Sequence, residues 1–224
     1  MKNNILIYLS VFLLSAPIMV SCNIDDTVPL KSNPELSDSS ALFINRDIFL
    51  TCRVDEGTED ERTLSYTDGV GFRSEAESYI PAICPYDPQT DTAVSYLQAE
   101  RMMFRDSTRF EEMFEIELVA CLPQNSPEEL RKEIVFNTGD RFWLNLQDTI
   151  DGVRVSYRDL DDNLLSTEFG SQSIDSRFIV SAVIENDMND RSKYIVFGEF
   201  NCTLRGGNKT MKLTRGRFKM FAGK

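Results

Sequence analysis

The C-terminal stretch KYIVFGEFNCTL-RGGNK-TMKLTRGRFKMF, residues 193–221, contains two runs of strand-forming residues on either side of a Gly-Gly-Asn turn. A chain that ends this way is committed to an antiparallel hairpin. Side chains alternate faces along a strand, so the parity of the apolar positions reports which face is buried. Ile195 and Phe197 are odd, whereas Phe200, Cys202 and Leu204 are even. On the second run Met211 and Leu213 are odd, whereas Phe218 and Met220 are even. Each slip coincides with a glycine, Gly198 and Gly216, and an extra residue at each predicts a β-bulge that returns the same face to the core. Two bulges would curve the hairpin as a curved sheet or a barrel wall requires; the alternative is that one slip is chance and both faces are partly buried.

The rest of the chain repeats the pattern in shorter pieces. ALFIN, DIFLTCRV, LSYTDGVGFRS, ESYIPAIC, VSYLQAERMMF, FEEMFEIELVA, RFWLNL, GVRVSYRDL, LLSTEF and FIVSAVIE all read as strands between Asp, Asn, Gly, Pro or Ser turns. In FEEMFEIELVA, Phe114, Ile116, Leu118 and Ala120 alternate with Glu115, Glu117 and Val119, the mark of a half-buried strand. Turn signals arrive roughly every 8–15 residues, as in a sandwich or a barrel. SPEELRKE predicts one short helix, with Ser126 as N-cap, Pro127 in the first helical position and Glu129 closing a capping box. The expected fold is all-β: an antiparallel barrel or β-sandwich over residues 41–224, with one short helix.

Ahead of it lies a leader. MKNNILIYLSVFLLSAPIMVSC has one basic residue, Lys2, then an apolar core from Ile5 to Leu14, too short to span a bilayer but of the length of a signal peptide. Met19, Val20 and Ser21 before Cys22 resemble the lipobox of bacterial lipoproteins. That resemblance implies cleavage after residue 21 and lipid on Cys22, with several acyl chains giving a durable anchor. Asp25 and Asp26 resemble the acidic signal that sends Bacteroidetes lipoproteins to the cell surface, with the periplasmic leaflet as the other destination. Residues 22–40, rich in Asp, Ser and Pro, read as a disordered tether with a reach of roughly 20–25 Å.

FGEFNCTL, a Gly-rich turn and LTRGRFKMF together resemble the C-terminal hairpin of small Bacteroidetes outer-membrane and surface lipoproteins grouped in families without assigned activity. INRDIFLTCRV resembles their opening strand in position, without their usual Gly-Lys and Trp. The resemblance implies an all-β fold and brings no activity.

Composition narrows the chemistry. The chain has no histidine, which removes Ser-His-Asp and Cys-His catalysis and histidine-ligated zinc. A formal charge of −12 argues against nucleic acid as a partner. Cys52, Cys84, Cys121 and Cys202 are too far apart for a CxxC motif; they form one or two disulfides in an oxidising compartment, or stay as buried thiols. Acids cluster at Asp55–Glu61, at Asp159, Asp161 and Asp162, and at Asp187 and Asp190. Such loops serve as solvated charge, as a glycosidase pair, or as calcium ligands, although DLDDN and ENDMND miss the EF-hand spacing. No cofactor is expected. Trp143, the only tryptophan, is the candidate ligand contact through sugar stacking, against a packing role beside Phe142 and Leu144. The triplets starting at Asp26, Asp91 and Asp148 resemble a Bacteroidetes O-glycosylation sequon. These features lead to a non-catalytic envelope lipoprotein, a binding or presentation module for a glycan or an envelope protein. The alternatives are an adhesion or pilus-associated subunit and a carboxylate glycoside hydrolase.

Overall fold

The C-terminal hairpin forms the longest pairing of the structure. In the computed structural model, β10 (Tyr194–Gly206) and β11 (Lys209–Ala222) pair antiparallel from Tyr194 opposite Ala222 to Gly206 opposite Lys209. The structure describes residues 47–81, 84, 95–108, 112–123, 126–144, 151–187 and 192–223, all within one unit, Arg46–Lys224. The leader, Cys22, the tether, ALFIN and the three Asp-Thr triplets lie outside the described residues.

Before the hairpin come β1 (Phe49–Val54), β2 (Arg62–Asp68), β3 (Gly71–Tyr79), β4 (Ser95–Asp106) and β5 (Met113–Pro123). Helix α1 (Glu128–Val135) follows, then β6 (Gly139–Asp140), β7 (Gly152–Arg158), β8 (Leu164–Ser166) and β9 (Arg177–Glu185). The order β11-β1-β2-β3-β4-β5-β7-β8-β10 returns to β11, which closes a nine-strand barrel. The fold is therefore all-β, and of the two expected architectures it is the barrel. One junction departs from antiparallel order: β2 and β3 run parallel for two residue pairs, Thr67 with Gly71 and Asp68 with Phe72. The tight loop between them needs positive φ at Gly69 (+83°) and Gly71 (+73°), which glycine adopts without steric cost.

Strand β10 has two neighbours on one edge. Residues Tyr194–Asn201 pair with β9, while Arg205 pairs with Ser166 of β8. The gap between β9 and β7 is laced by the segment after α1. Gly139 and Asp140 pair with β9, and Leu144 N–H and Val153 N–H exchange hydrogen bonds of 2.9 and 2.8 Å with Val153 O and Phe142 O. Among the described residues of RFWLNL, 141–144, a single bridge forms at Trp143 where a strand was expected.

The interior is filled by rings. Trp143 meets Phe178 edge-on at 6.0 Å, Phe178 stacks on Phe218 at 5.4 Å, and Phe200 joins Phe114 at 5.9 Å. Phe114 then meets Tyr66 at 6.0 Å, and Tyr66 meets Phe104 at 6.0 Å and Phe72 at 4.6 Å. Phe104, Phe114 and Phe178 have no exposed surface. Full burial of such a side chain contributes roughly 1.5–3 kcal/mol, so this column carries much of the fold.

One of the two expected bulges is present. Between Phe200 and Cys202 the register slips because β11 holds an extra residue, with Arg215 at φ +52° beside Gly216. The same slip appears against β1, between Thr51 and Arg53. At Gly198 the pairing with β11 runs unbroken, so that expectation is corrected. The irregularity there is on β9, between Ala182 and Val180, and Ile195, Val196 and Phe197 are all buried whichever way they point. The glycines serve ring packing instead: Gly198 faces Phe218 and Phe200 faces Gly216 across the pair.

The helix also starts later than expected. Pro127 takes the cap position and has no side-chain acceptor to offer, while Ser126 Oγ, one residue earlier, donates to Pro123 O at 2.7 Å. At the other end Arg141 donates to the carbonyls of Ile134, Val135 and Asn137 at 3.3, 2.7 and 2.7 Å.

A Cβ on Gly198 would fall 2.4 Å from Ile179 O and 2.4 Å from the Phe218 ring. Gly198→Ala is expected to cost about 1–3 kcal/mol, read as a lower urea midpoint at unchanged slope.

Candidate functional site

Helix α1 lies at one mouth of the barrel, over the end of β3 and the starts of β4 and β10. It buries Val135 and Phe136, the latter against Tyr194 at 5.2 Å. Beneath it a cleft of about 330 Å³ remains. The floor is set by β4, whose even positions run inward as Gln98, Glu100, Met102 and Phe104. The last two are apolar and the first two polar, and Gln98 and Glu100 are each only 7% exposed.

Glu100 is held by neutral donors. Ser78 Oγ donates to it at 2.6 Å and Gln98 Nε2 at 3.1 Å, and the Gly223 backbone N–H points at it. Among the described residues it makes no ion pair. Burial raises its carboxyl above the ordinary 4.5 in spite of those donors.

The rim carries three cations, Arg131, Lys132 and Lys193, and one carboxylate, Glu128, in a chain that is acidic overall. Lys193 Nζ pairs with Glu128 at 2.8 Å and Lys132 Nζ with Glu185 at 2.9 Å. Lys132 also sits over the Tyr194 ring at 4.7 Å and Arg131 over Tyr96 at 5.6 Å, so cations occupy those ring faces. The two lysine pairs are exposed and contribute little, so these cations can change partners.

The outer wall holds a second polar assembly. Odd positions of β5 point outward, and Glu115 and Glu117 are nonetheless 7% and 1% exposed. Glu117 accepts from Arg154 and from Tyr79 OH, and Arg154 also reaches Glu168 at 2.8 Å. Arg101 bridges Glu77 at 3.0 Å and Glu115 at 3.3 Å, and stacks on Tyr79 at 4.5 Å. Desolvation and the Glu117 carboxylate hold the Tyr79 hydroxyl up at about 12, which suits a hydrogen-bond donor and not a nucleophile. This ladder ties β3, β4, β5 and β7 together. Sequence alternation marked Glu115 and Glu117 as solvent-facing; the arginines on facing strands were the missed signal, and their register is set only by the fold.

At the opposite mouth Glu112 accepts from Tyr66 OH at 2.7 Å and Tyr157 OH at 3.2 Å. The acidic loops beside it are engaged internally. Asp159 accepts from Asp161 N–H, Asn163 and Lys209, Asp162 pairs with Arg158 at 2.9 Å, and Asp55 accepts from Lys212 N–H at 2.8 Å. Among the described residues no group of three His, Cys, Asp or Glu is placed to hold a metal. Trp143, half-buried against Phe178, is not among the residues lining the helix-capped cleft. Cys84 and Cys121 form a disulfide with Cα atoms 5.9 Å apart, while Cys52 and Cys202 are buried thiols, so the four cysteines divide between both expected states.

No family model, curated protein or solved structure matches the chain.

Two outcomes follow. Arg154→Ala strands the Glu117 charge and is expected to cost about 3–5 kcal/mol in chemical denaturation. A raised carboxyl binds its proton more tightly in the folded state, so the stability it gives below pH 4.5 is lost as pH rises through the raised value. Glu100→Gln is therefore expected to melt above the parent at neutral pH, and that advantage disappears on acidification below 4.5.

Proposed function

We propose that this chain is a non-catalytic, lipid-anchored protein of the cell envelope, displayed at the surface, that captures a ligand at the helix-capped mouth. The observation that carries the binding role is the cleft itself, whose floor places two buried polar side chains, Gln98 and Glu100, above the apolar Met102 and Phe104. The rings fill the interior and leave the mouths and outer wall as the places where a ligand is met.

The address rests on Cys22 and its lipobox-like approach, the acidic pair after it, and the Cys84–Cys121 disulfide, a bond that fits an oxidising compartment. The outer wall of β3, β4, β5 and β7 carries an Arg–Glu ladder where a lipid-facing barrel carries an apolar band, so membrane attachment falls to the anchor. No helix among the described residues is long and apolar enough to cross a membrane. Of the two ligand classes, an envelope protein or peptide fits better than a neutral glycan, because a face of Tyr194, the tyrosine that lines the cleft, is covered by Lys132. The closed ring weighs against a pilus subunit built by strand addition.

The hydrolase reading keeps one observation in its favour. Burial raises Glu100, Lys193 lowers Glu128, and both line one cleft, so their carboxyl pKa values are pushed in the opposite directions an acid–base pair uses. Release of chromophore from aryl glycosides, abolished by Glu100→Gln, would replace binding with catalysis.

The address is tested by metabolic labelling with an alkyne fatty acid. Label is expected in the parent and absent from Cys22→Ala, and protease added to intact cells is expected to remove the domain. An unlabelled parent or a fully protected domain contradicts the proposal.

A further inference from the structure

We propose that the helix-capped cleft recognises a zwitterion, a free ammonium group beside a carboxylate, as carried by an amino acid or a peptide end. This rests on the binding role assigned to the cleft and names its ligand chemistry.

The floor gives the first half. A carboxylate taken out of water is stabilised by a countercharge, and the fold bonds Glu100 directly only to neutral donors, Ser78 Oγ at 2.6 Å, Gln98 Nε2 at 3.1 Å and the Gly223 N–H, with the Lys193 charge acting on it without an ion pair. Met102, below it on the same face, is apolar and wholly buried, so a countercharge arrives through the cleft and not from within the barrel. An ammonium group fits that position because it brings charge and donors together.

The rim gives the second half. Arg131, Lys132 and Lys193 line the same cleft with Glu128, which is paired to Lys193, so a simple amine would meet three like charges against one carboxylate at the rim. A carboxylate on the same ligand converts that repulsion into attraction. It competes with Glu128 and Glu185 for lysines held in exposed pairs of 2.8 and 2.9 Å. The order of charge, negative at the floor and positive at the rim, is the inverse of a zwitterion that enters ammonium first. The volume of about 330 Å³ lies at the small end of the ~300–1,000 Å³ typical of ligand pockets, which suits one or two residues.

The experiment is calorimetric titration of the purified full-length chain with alanine, alanyl-alanine, their N-acetyl and C-amide forms, and neutral and acidic monosaccharides. Saturable binding of alanine or alanyl-alanine is expected, weakened at least tenfold by N-acetylation and by Glu100→Gln. C-amidation and Lys193→Gln are each expected to weaken it several-fold. Thermal melting of both variants reports that they fold. Binding by alanine alone would assign the site to free amino acids, and preference for alanyl-alanine would assign it to peptide ends; either supports the proposal. Equal binding of N-acetyl forms, or of amines without a carboxylate, overturns it. Saturation by a saccharide and by no zwitterion overturns it while leaving the cleft a binding site. No binding by any probe overturns it, whereas the fatty-acid label reports on the address independently.

Discussion

A nine-strand ring encloses more space than aliphatic side chains fill, since barrel diameter grows with strand number and about eight strands already leave an interior wide enough for packed side chains. This barrel meets that constraint with aromatic rings, from Trp143 through Phe178, Phe218, Phe200 and Phe114 to Tyr66 and Phe104. Glycine is the complement of that choice. Gly198 and Gly216 remove a Cβ at the positions where the Phe218 and Phe200 rings cross the hairpin. Without those two absences the rings would force the strands apart.

A filled interior moves chemistry to the periphery. The outer wall spends its charges on itself: Glu117, almost wholly buried, is bound by Arg154 and Tyr79, and Arg101 ties Glu77 to Glu115. The far mouth does the same, with Glu112 occupied by two tyrosine hydroxyls. Glu100 differs from both, because its donors are neutral and its surroundings still raise its pKa. That contrast singles out the helix-capped mouth.

Much of the fold was legible where local rules decide the outcome. The hairpin, the inward run Phe114–Ile116–Leu118 and the bulge beside Gly216 follow from parity and turn chemistry. The Gly198 slip misled because parity assumes that one face is wet, and around Phe197 both faces are buried. The capping box failed for a local reason, since the helix starts one residue later and puts Pro127, which has no side-chain acceptor, in the cap position. Barrel or sandwich, the partner of Cys84 and the ladder around Glu117 all depend on which distant strands become neighbours. Glu100 was read only as part of the strand VSYLQAERMMF; its significance comes from the cleft above it, which α1 completes from elsewhere in the chain.

The ring is joined where its two ends meet, Phe49 of β1 lying opposite Lys219 of β11. The first strand therefore waits for the last, and translocation or synthesis from the amino end leaves β1 with an unsatisfied edge until the final segment emerges. Closing a ring between strands this far apart in sequence carries a large loop-closure entropy, the kind of non-local pairing that slows folding.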